Sequence, residues 1–214
     1  MNVKGIGQIV ASEGVDGPGV RAVVHFAGCT VGCAGCFNPH THSSTGDGTW
    51  ERDACDLAED LLAVSPAVTI SGGEPTDQPA ALLTLLRALR ARGCDDIVLY
   101  TGRTREWLLA GANPVLSPST WARRHAQMML WLSFEDERLV DVVIDGPFIK
   151  AKLESDGGLT RGSTNQRVLC LTQKWTQDDF YSRETQVEID EEGNLIVTGF
   201  PSSELQVTLR ELAG

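Results

Sequence analysis

The sequence has no long apolar run and no surplus of positive charge. No stretch approaches the ~20 consecutive apolar residues that a membrane span requires, and residues 1–14 lack the apolar core of a signal peptide. The chain contains 18 Lys and Arg residues and 29 Asp and Glu residues, which gives a net charge of −11, and it has no basic run. Sequence-independent binding to nucleic-acid phosphates therefore has little electrostatic support. We expect a cytoplasmic protein that binds neither membranes nor nucleic acid.

Cysteines are few, and half of them are isolated along the chain. Cys55, Cys94 and Cys170 are too dispersed to argue for a second cluster, and isolated free thiols are commonly buried or inert. With 214 residues, 42% of them hydrophobic, the chain can bury a sizeable core without a disulfide framework. We expect a single domain over 1–214, with its core at about 14–172 and a short C-terminal appendage at about 173–214.

Apolar segments alternate with amphipathic ones along most of the chain. Apolar and β-branched runs predict five strands, at 22–27, 67–73, 96–102, 139–146 and 165–172. Helical spacing predicts helices at 50–64 and 81–93, a short one after Thr104 and a longer one from Pro118. This alternation predicts an α/β fold in which a parallel sheet curves into a partial (open) or full β/α barrel. Residues 186–199 alternate and turn at EEGN, which predicts a C-terminal β-hairpin appendage.

The tightest cysteine group is GCTVGCAGCF, in which Cys29, Cys33 and Cys36 follow the first predicted strand. Iron–sulfur clusters are held by cysteine thiolates, usually four. Three thiolates at this spacing can hold a 4Fe–4S cluster while one iron keeps no protein ligand. A structural zinc site completed by Cys55 or His40 is the alternative interpretation.

A second motif, GGEP, follows the second predicted strand directly. Glycines let a backbone approach a ligand closely, and Glu74 adds acceptor oxygens. Seen alone, this motif predicts only a turn without a ligand, formed by Gly72, Gly73, Glu74 and Pro75. In a parallel sheet of this kind the functional loops lie at the carboxyl ends of the strands, and both this motif and the cysteine triplet fall there.

The pattern CxxxCxxC after the first strand, with GGEP after the second, resembles the radical S-adenosylmethionine enzyme superfamily. The resemblance implies a 4Fe–4S cluster whose open iron binds the amino and carboxylate groups of S-adenosyl-L-methionine. It further implies that the reduced cluster cleaves this cofactor to methionine and a 5′-deoxyadenosyl radical, which abstracts a hydrogen atom. The GGEP backbone is then expected to hold the amino group of the cofactor.

Further motifs narrow the resemblance to the activating enzymes of glycyl-radical enzymes. DGPGVR (16–21) is similar to their DGPG(I/V)R signature, and GCFNPHTH, YTGRT, DVVIDGPF and RGSTNQR are together similar to the group that activates anaerobic ribonucleotide reductase. This resemblance covers about 14–172. It implies a glycyl-radical enzyme as the protein substrate and a low-potential electron donor such as flavodoxin or ferredoxin. Residues 113–139 and the tail after 172 are longer than in compact members, and partner choice can be encoded there.

The resemblance also gives single residues expected roles around the cofactor. An aromatic residue often precedes the third cysteine in the superfamily. That residue is Gly35 in this chain, and Phe37 is expected to take its place against the adenine. Thr101 and Asp145 end neighbouring predicted strands, where related enzymes hold a monovalent cation near the cofactor carboxylate. A helix-cap or turn role is the alternative for these two residues.

Polar residues in two other motifs are candidates for ligand contacts. Ser163, Asn165 and Gln166 are expected to contact the ribose, the adenine or the partner's glycine loop, and the sequence does not choose among these. Asp16 and Arg21 flank a Gly-Pro-Gly turn that the resemblance places near the entering peptide, the alternative being backbone geometry alone.

Some features of the sequence also fit other functions. His40 and His42 lie just beyond the triplet and are explained as loop histidines without a catalytic role. A radical enzyme that acts on a small molecule or a peptide is one alternative, as in the similarly short 7-carboxy-7-deazaguanine synthases, which also pair a cysteine triplet with GGEP. A zinc or iron–sulfur module without catalysis is the other.

Overall fold

A mixed β-sheet with helices packed against it forms the core of the structure. The computed structural model describes residues 1–111, 117–182, 184–189, 193, 195–202, 204–205 and 207–208. Within these ranges the strands are β1 (Asn2–Ile6), β2 (Val10–Glu13), β3 (Val20–Phe26), β4 (Thr49–Asp53), β5 (Ala67–Gly72), β6 (Asp96–Thr101), β7 (Val142–Asp145), β8 (Arg167–Cys170), β9 (Thr185–Ile189) and β10 (Leu195–Gly199). The α-helices are α1 (Ala54–Val64), α2 (Pro79–Ala91), α3 (Arg105–Leu109) and α4 (Pro118–Asp136).

The centre of the sheet is parallel and its two flanks are antiparallel. The strand order is β4-β1-β3-β5-β6-β7-β8, with β2 also paired to β3. Strands β3, β5, β6 and β7 run parallel, as the alternation of apolar and amphipathic segments predicts. Their carboxyl ends therefore lie at one edge of the sheet, which brings together the loops that follow them. The α/β fold class is confirmed.

The fifth predicted strand was expected to be parallel, and this expectation is wrong. Strand β8 pairs antiparallel with β7, so that Asp145 lies opposite Arg167. A parallel connection needs a crossover of a dozen or more residues, usually a helix, to return the chain to the other edge of the sheet. The connection between β7 and β8 contains only the short 3-10 turn Lys150–Lys152. The chain therefore turns back at the carboxyl edge and leaves the 146–166 loop there.

The helices form where amphipathic spacing and capping residues coincide. The Asp53 side chain accepts from the Cys55 amide at the start of α1 (2.8 Å), and Thr104 caps α3 as predicted. Gly93, with φ of +88°, follows the end of α2, where a left-handed residue is favourable. Helix α2 buries its leucines against the sheet, and the largest buried side chain of the core, Trp131, comes from α4.

The antiparallel flank at the start of the chain is absent from the sequence-based prediction. Residues 50–53 were assigned to the first helix, but they belong to β4, which pairs with β1. Gly5 makes this possible, because a Cβ atom there would lie 2.2 Å from the Trp50 ring. Strands β1, β2 and β4 are short and only partly buried, so their apolar periodicity is weak.

The C-terminal residues form the predicted hairpin. Strands β9 and β10 pair antiparallel, with Leu195 opposite Ile189. Of the predicted EEGN turn, Glu191, Glu192 and Asn194 lie outside the described residues, as does part of the predicted 113–139 segment. None of the helices in the described ranges combines the length and the apolar character needed to cross a bilayer.

Candidate functional site

The loops at the carboxyl edge of the parallel strands enclose one open cleft. The cleft has an empty volume of about 990 Å³, counting the solvent at its mouth. Loops that follow β3, β5, β6 and β7 all contribute to its walls, and so does β10 from the C-terminal hairpin. Its lining side chains and glycines include Asp16, His25, Cys29, Cys33, Cys36, Phe37, His42, Gly72, Gly73, Glu74, Tyr100, Thr101, Gly146, Phe148, Gln166 and Phe200. The sequence motifs, separate along the chain, therefore meet in one place.

The cysteine triplet lies on the loop that leaves β3. Backbone bonds fix the start of this loop, since the Gly28 amide donates to the Thr41 carbonyl (2.8 Å) and the Cys29 amide to the His42 carbonyl (3.1 Å). All three thiols are partly exposed and free. Burial is the main cause that raises the pKa of Cys33 and of Cys36 above the usual thiol value. A ligand with strong affinity for thiolate is needed to hold these sulfurs deprotonated at neutral pH.

The donor set of this loop fits an iron–sulfur cluster. Three free thiols line the same cleft, and the remaining cysteines of the chain do not line it. Among the described residues, no three histidine, cysteine or carboxylate side chains converge closely enough to hold a single metal ion. A 4Fe–4S cluster does not need that convergence, because its cysteine thiolates bind different irons. Cys29, Cys33 and Cys36 would hold such a cluster and leave one iron facing the cleft.

The GGEP loop packs directly on the cysteine loop. The Gly73 amide donates to the Phe26 carbonyl (2.8 Å), and the Glu74 amide donates to the Gly28 carbonyl (2.9 Å). These two amides are bonded within the protein and are not available to a ligand. The expected contact of this loop with the cofactor amino group stays a prediction.

Both glycines of the loop are required by the close approach of neighbouring backbone. A Cβ atom on Gly72 would lie 2.4 Å from the Phe26 nitrogen, and the residue has φ of +106°. A Cβ atom on Gly73 would lie 2.3 Å from the Gly28 carbonyl oxygen and 2.8 Å from that of Thr41. No side chain can therefore replace either hydrogen without moving the loop that carries Cys29.

We predict that Gly73→Ala separates the two loops and lowers cofactor cleavage on the order of 100-fold, the typical cost of misplacing reacting groups by about 1 Å. Iron content after anaerobic reconstitution and S-adenosylmethionine cleavage are the measurements. Gly32→Ala is the matched control, because Gly32 lies in the same cysteine loop with no atom within 4 Å of an added Cβ. Its φ of +63° costs alanine about 1 kcal/mol of strain. Equal iron content and cleavage in the two variants would contradict the steric explanation.

Glu74 lines the cleft, but most of its oxygen capacity is used inside the protein. Oε1 accepts from the Thr76 hydroxyl (2.7 Å) and the Thr101 hydroxyl (2.8 Å), while Oε2 accepts from the Gly102 amide (2.8 Å). The side chain is fully buried, and burial is the main cause that raises its pKa. Glu74 thus ties the GGEP loop to the end of β6. Direct cofactor contact through its carboxylate remains a prediction.

The expected cation site at Thr101 and Asp145 does not fit the structure. The two residues are register neighbours on β6 and β7, as predicted. However, the Asp145 carboxylate is paired with the Arg167 guanidinium, whose Nε donates to Oδ1 (2.8 Å). The other carboxylate oxygen, Oδ2, accepts from the Arg105 amide (2.8 Å). The Thr101 hydroxyl donates to Glu74. An arginine therefore supplies the positive charge at this point, and the carboxylate has no open face for a metal cation.

Ser163 and Asn165 support a loop and do not line the cleft. The Ser163 hydroxyl accepts from the Ile149 amide (3.1 Å), and the Asn165 amide group donates to the Pro147 carbonyl (2.8 Å). The Asn165 Oδ1 atom is buried and has no hydrogen-bond partner in the described part of the chain. Gln166, by contrast, lines the cleft and donates to the Gly146 carbonyl (2.9 Å). The expected cofactor contacts of Ser163 and Asn165 are thus not supported by their placement.

The structure places Asp16 on the cleft lining and Arg21 in the protein interior. The Asp16 side chain lines the cleft, where it accepts from the Ser12 hydroxyl (2.7 Å) and burial is the main cause that raises its pKa. Arg21 is fully buried, and its guanidinium bonds to the Asp96 carboxylate (2.8 Å) and to the Thr69 hydroxyl (2.8 Å). The expected substrate contact of Arg21 is therefore corrected to a structural role.

Three phenylalanines from distant parts of the chain form an aromatic wall on the cleft. The Phe37 ring lies 4.9 Å from that of Phe148 and 6.0 Å from that of Phe200. Phe37 thus lines the cleft as its expected adenine-contacting role requires, although that contact stays a prediction. Phe200, at the end of β10, was not a candidate, because hairpin periodicity does not tell which distant loop a strand end reaches.

His25 is a cleft residue that the sequence-based prediction missed. It lies on β3 opposite Ser71 of β5, in a strand that is otherwise apolar. Burial is the main cause that lowers its pKa, to about 4, with a smaller effect from His40. Its imidazole is therefore neutral at pH 7. A lone polar side chain among the apolar residues 22–27 was the available signal.

The residues that were assigned no role are placed as follows. His42 lines the cleft, whereas His40 is exposed on the 3-10 turn Pro39–His42. Cys94 is buried, with its thiol near the Pro66 carbonyl (3.2 Å), and Cys55 and Cys170 are exposed. None of these three cysteines lines the cleft.

An α/β sheet with three free thiols and a glycine loop at its strand ends fits an iron–sulfur protein. Consistent with this class, the profile of the 4Fe–4S single cluster domain family matches residues 15–169. The match covers most of the chain, and the protein belongs to this family.

Several named relatives share parts of the sequence. Pyruvate formate-lyase-activating enzyme of Clostridium pasteurianum is 40% identical over 86 residues, which are 37% of this chain and 35% of that protein. The chain thus matches only about a third of that relative's length. Anaerobic ribonucleoside-triphosphate reductase-activating protein of Vibrio cholerae is 29% identical over 163 residues, 72% of this chain and 90% of the relative. Its namesake from Haemophilus influenzae is 29% identical over 170 residues, 75% of this chain and 94% of the relative. The predicted resemblance to radical S-adenosylmethionine activating enzymes is confirmed.

Proposed function

We propose that this protein is a radical S-adenosylmethionine activating enzyme that generates a glycyl radical on a partner enzyme, the anaerobic ribonucleoside-triphosphate reductase. The observation that carries the proposal is the single cleft in which the cysteine triplet, the GGEP glycines and Asp16 of the DGPG turn meet. The partner is chosen because relatives named for activating that reductase align over 90% and 94% of their own length.

The residues of the cleft divide into those that hold the cluster and those that hold the cofactor. Cys29, Cys33 and Cys36 would bind a 4Fe–4S cluster, and the carbonyl groups of Gly72 and Gly73 would accept from the cofactor amino group. Bound there, a reduced cluster would supply the one-electron reduction that splits S-adenosylmethionine, and so the radical chemistry that would remove the Cα hydrogen of the partner's glycine. His25 and the aromatic wall would form part of the lining around the bound cofactor.

The open mouth of the cleft suits a polypeptide loop as the substrate. Asp16 lies on the lining, and its backbone carbonyl accepts from the Thr69 hydroxyl (2.9 Å), so we assign the DGPG turn to the wall that an entering loop would meet. No side-chain base is required, because a hydrogen atom is transferred rather than a proton. We further propose that the sheet curves into the open, partial barrel expected from the sequence, with β10 of the C-terminal hairpin contributing to the cleft lining.

A low-potential carrier such as flavodoxin or ferredoxin completes the proposed system by reducing the cluster. We place the reaction in the cytoplasm, where the six free thiols would stay reduced. The net charge of −11 gives no support for a nucleic-acid or membrane surface as partner.

The proposal is tested by anaerobic reconstitution followed by reduction with dithionite in the presence of S-adenosylmethionine. We expect 5′-deoxyadenosine and methionine in equal amounts. With the co-encoded reductase present, a glycyl-radical doublet in the electron paramagnetic resonance spectrum is expected. A reductase whose radical-site glycine is replaced by alanine serves as the control and should give no doublet. Cofactor cleavage without a radical on the reductase would contradict the assigned partner, and bound zinc without cleavage would contradict the chemistry.

A further inference from the structure

Helix α4 contacts the turn that follows the GGEP glycines at the middle of its length, where the Gln127 side chain donates to the Thr76 carbonyl (3.0 Å). The nine residues from Pro118 to Ala126 precede this contact and span about 13 Å of helix, at 1.5 Å per residue. We call residues 117–127 the α4 ridge.

The α4 ridge is basic in a strongly acidic protein. It contains Arg123, Arg124 and His125 and no carboxylate, whereas the chain as a whole has a net charge of −11. Arg123 and His125 are exposed. Trp121 is exposed as well, with its ring stacked on that of His125 at 5.1 Å. Exposed aromatic and basic side chains together are typical of protein-binding surfaces.

A second basic group continues the ridge toward the cysteine loop. The guanidinium groups of Arg103 and Arg124 lie 4.1 Å and 3.3 Å from the centre of the Trp107 ring. The proximity of Arg103 is one cause that lowers the pKa of Arg124, after burial. Two like charges are thus held close together, and the nearest carboxylate to Arg103 is Asp77, at 3.9 Å.

This basic surface touches the cysteine loop from outside the cleft. The Arg103 guanidinium donates to the Thr30 hydroxyl (2.6 Å), and Thr30 is the neighbour of Cys29. Thr30 also donates from its amide to Asp77 (2.7 Å). Thr30, Arg103, Trp107 and Arg124 are all absent from the cleft lining. A partner seated on the ridge would therefore lie beside the loop that carries Cys29 and contact residues outside the cleft lining.

We propose that the α4 ridge is the docking surface for an acidic one-electron carrier protein. This inference rests on the proposed function and adds to it the position and charge of the electron donor. In the docked pair the carrier loses one electron and the cluster gains it, with no other reactant. An acidic carrier is complementary to the ridge, and the named ridge residues lie outside the cleft lining that we assign to the cofactor and the protein substrate. Charge complementarity of this kind mainly raises the association rate.

The test compares two routes of electrons into the same reconstituted protein. Photoreduced flavodoxin is mixed anaerobically with wild type, with Arg123→Glu and with Arg138→Glu, and bleaching of the cluster absorbance is followed by stopped flow. Arg138 is an exposed arginine just beyond the other end of α4, so its reversal changes the net charge equally. Dithionite, a small reductant that needs no docking surface, is the second route.

We expect Arg123→Glu to lower the second-order rate of reduction by flavodoxin at least about fivefold at low salt, and to weaken its dependence on ionic strength. Arg138→Glu and all dithionite rates should match wild type. Equal flavodoxin rates in the two variants would overturn the proposal, and so would a wild-type protein that flavodoxin and ferredoxin cannot reduce although dithionite can. A glycyl-radical yield that Arg123→Glu lowers under dithionite would assign the ridge to the reductase instead. Failure of the proposed function is distinguishable, because dithionite would then give no cofactor cleavage in wild type.

Discussion

Replacing Cys33 with alanine is expected to remove the cluster and abolish cleavage of S-adenosylmethionine. The triplet has no spare ligand, since Cys55, Cys94 and Cys170 do not line the cleft. A cluster held by two thiolates would expose two irons to solvent and lose its defined open position. Because the electron reaches the cofactor only through the cluster, the loss should be complete rather than partial.

Iron and sulfide content, the absorbance of the reconstituted protein and the yield of 5′-deoxyadenosine are the measurements for this prediction. Cys55→Ala and Cys170→Ala are matched controls, because both thiols are exposed and lie outside the cleft. We expect wild-type iron content and cleavage in both controls. A Cys55→Ala variant that loses its metal, together with zinc at unit stoichiometry in wild type, would instead support the mononuclear zinc interpretation.

The parallel centre of the fold was predictable because its strands are buried on both faces. Strands β3, β5, β6 and β7 appear in the sequence as nearly continuous apolar runs, and each is bounded by a glycine or a polar turn. The antiparallel flanks were not predictable in this way. Their strands are partly exposed and short, and the direction of β8 depends on a loop in which no helix forms.

The residue types of the site were predicted better than their contacts. The motifs identified the cysteines and the glycines directly. A cysteine is recognised by the metal-binding chemistry of its thiolate, and a glycine by the close backbone approach that its missing side chain permits. Glu74, Asp145 and Ser163 were correctly placed near the ends of strands, yet each of them also accepts from a partner 14 or more residues away. Sequence spacing does not reveal such pairings, because a short polar side chain at a strand end can bind either a ligand or a neighbouring loop.

Arg21→Met is expected to destabilise the protein by about 3–5 kcal/mol, the usual cost of leaving one partner of a buried ion pair uncompensated. The Arg21 guanidinium satisfies the Asp96 carboxylate at 2.8 and 3.0 Å, and it also donates to the Pro18 and Val68 carbonyls. Both side chains are buried. Without the arginine, Asp96 keeps the Trp175 indole as a donor at 3.1 Å, which cannot neutralise a buried charge.

Thermal unfolding checks this prediction, and a loss of this size lowers the midpoint by on the order of 10 °C for a chain of this length. Arg52→Met is the control, because the Arg52 pair with Asp60 lies on the surface and contributes less than about 1 kcal/mol. The double variant Arg21→Met/Asp96→Asn should recover much of the midpoint, since no unpaired charge then stays buried. An unchanged midpoint in Arg21→Met would contradict the structural role and restore Arg21 as a candidate for substrate contact.

The consequence of Arg21 for activity follows from the turn that it holds. Its bond to the Pro18 carbonyl fixes the DGPG turn, and Thr69, which accepts from Arg21, donates to the Asp16 carbonyl. Loss of the guanidinium therefore releases the turn from two sides and displaces Asp16 from the cleft wall. The DGPGVR motif thus combines two features, a buried arginine that holds the turn and an aspartate at its other end that lies on the cleft lining. In Arg21→Met the glycyl-radical yield should accordingly fall more than cofactor cleavage, since the cluster and the GGEP loop do not depend on this turn.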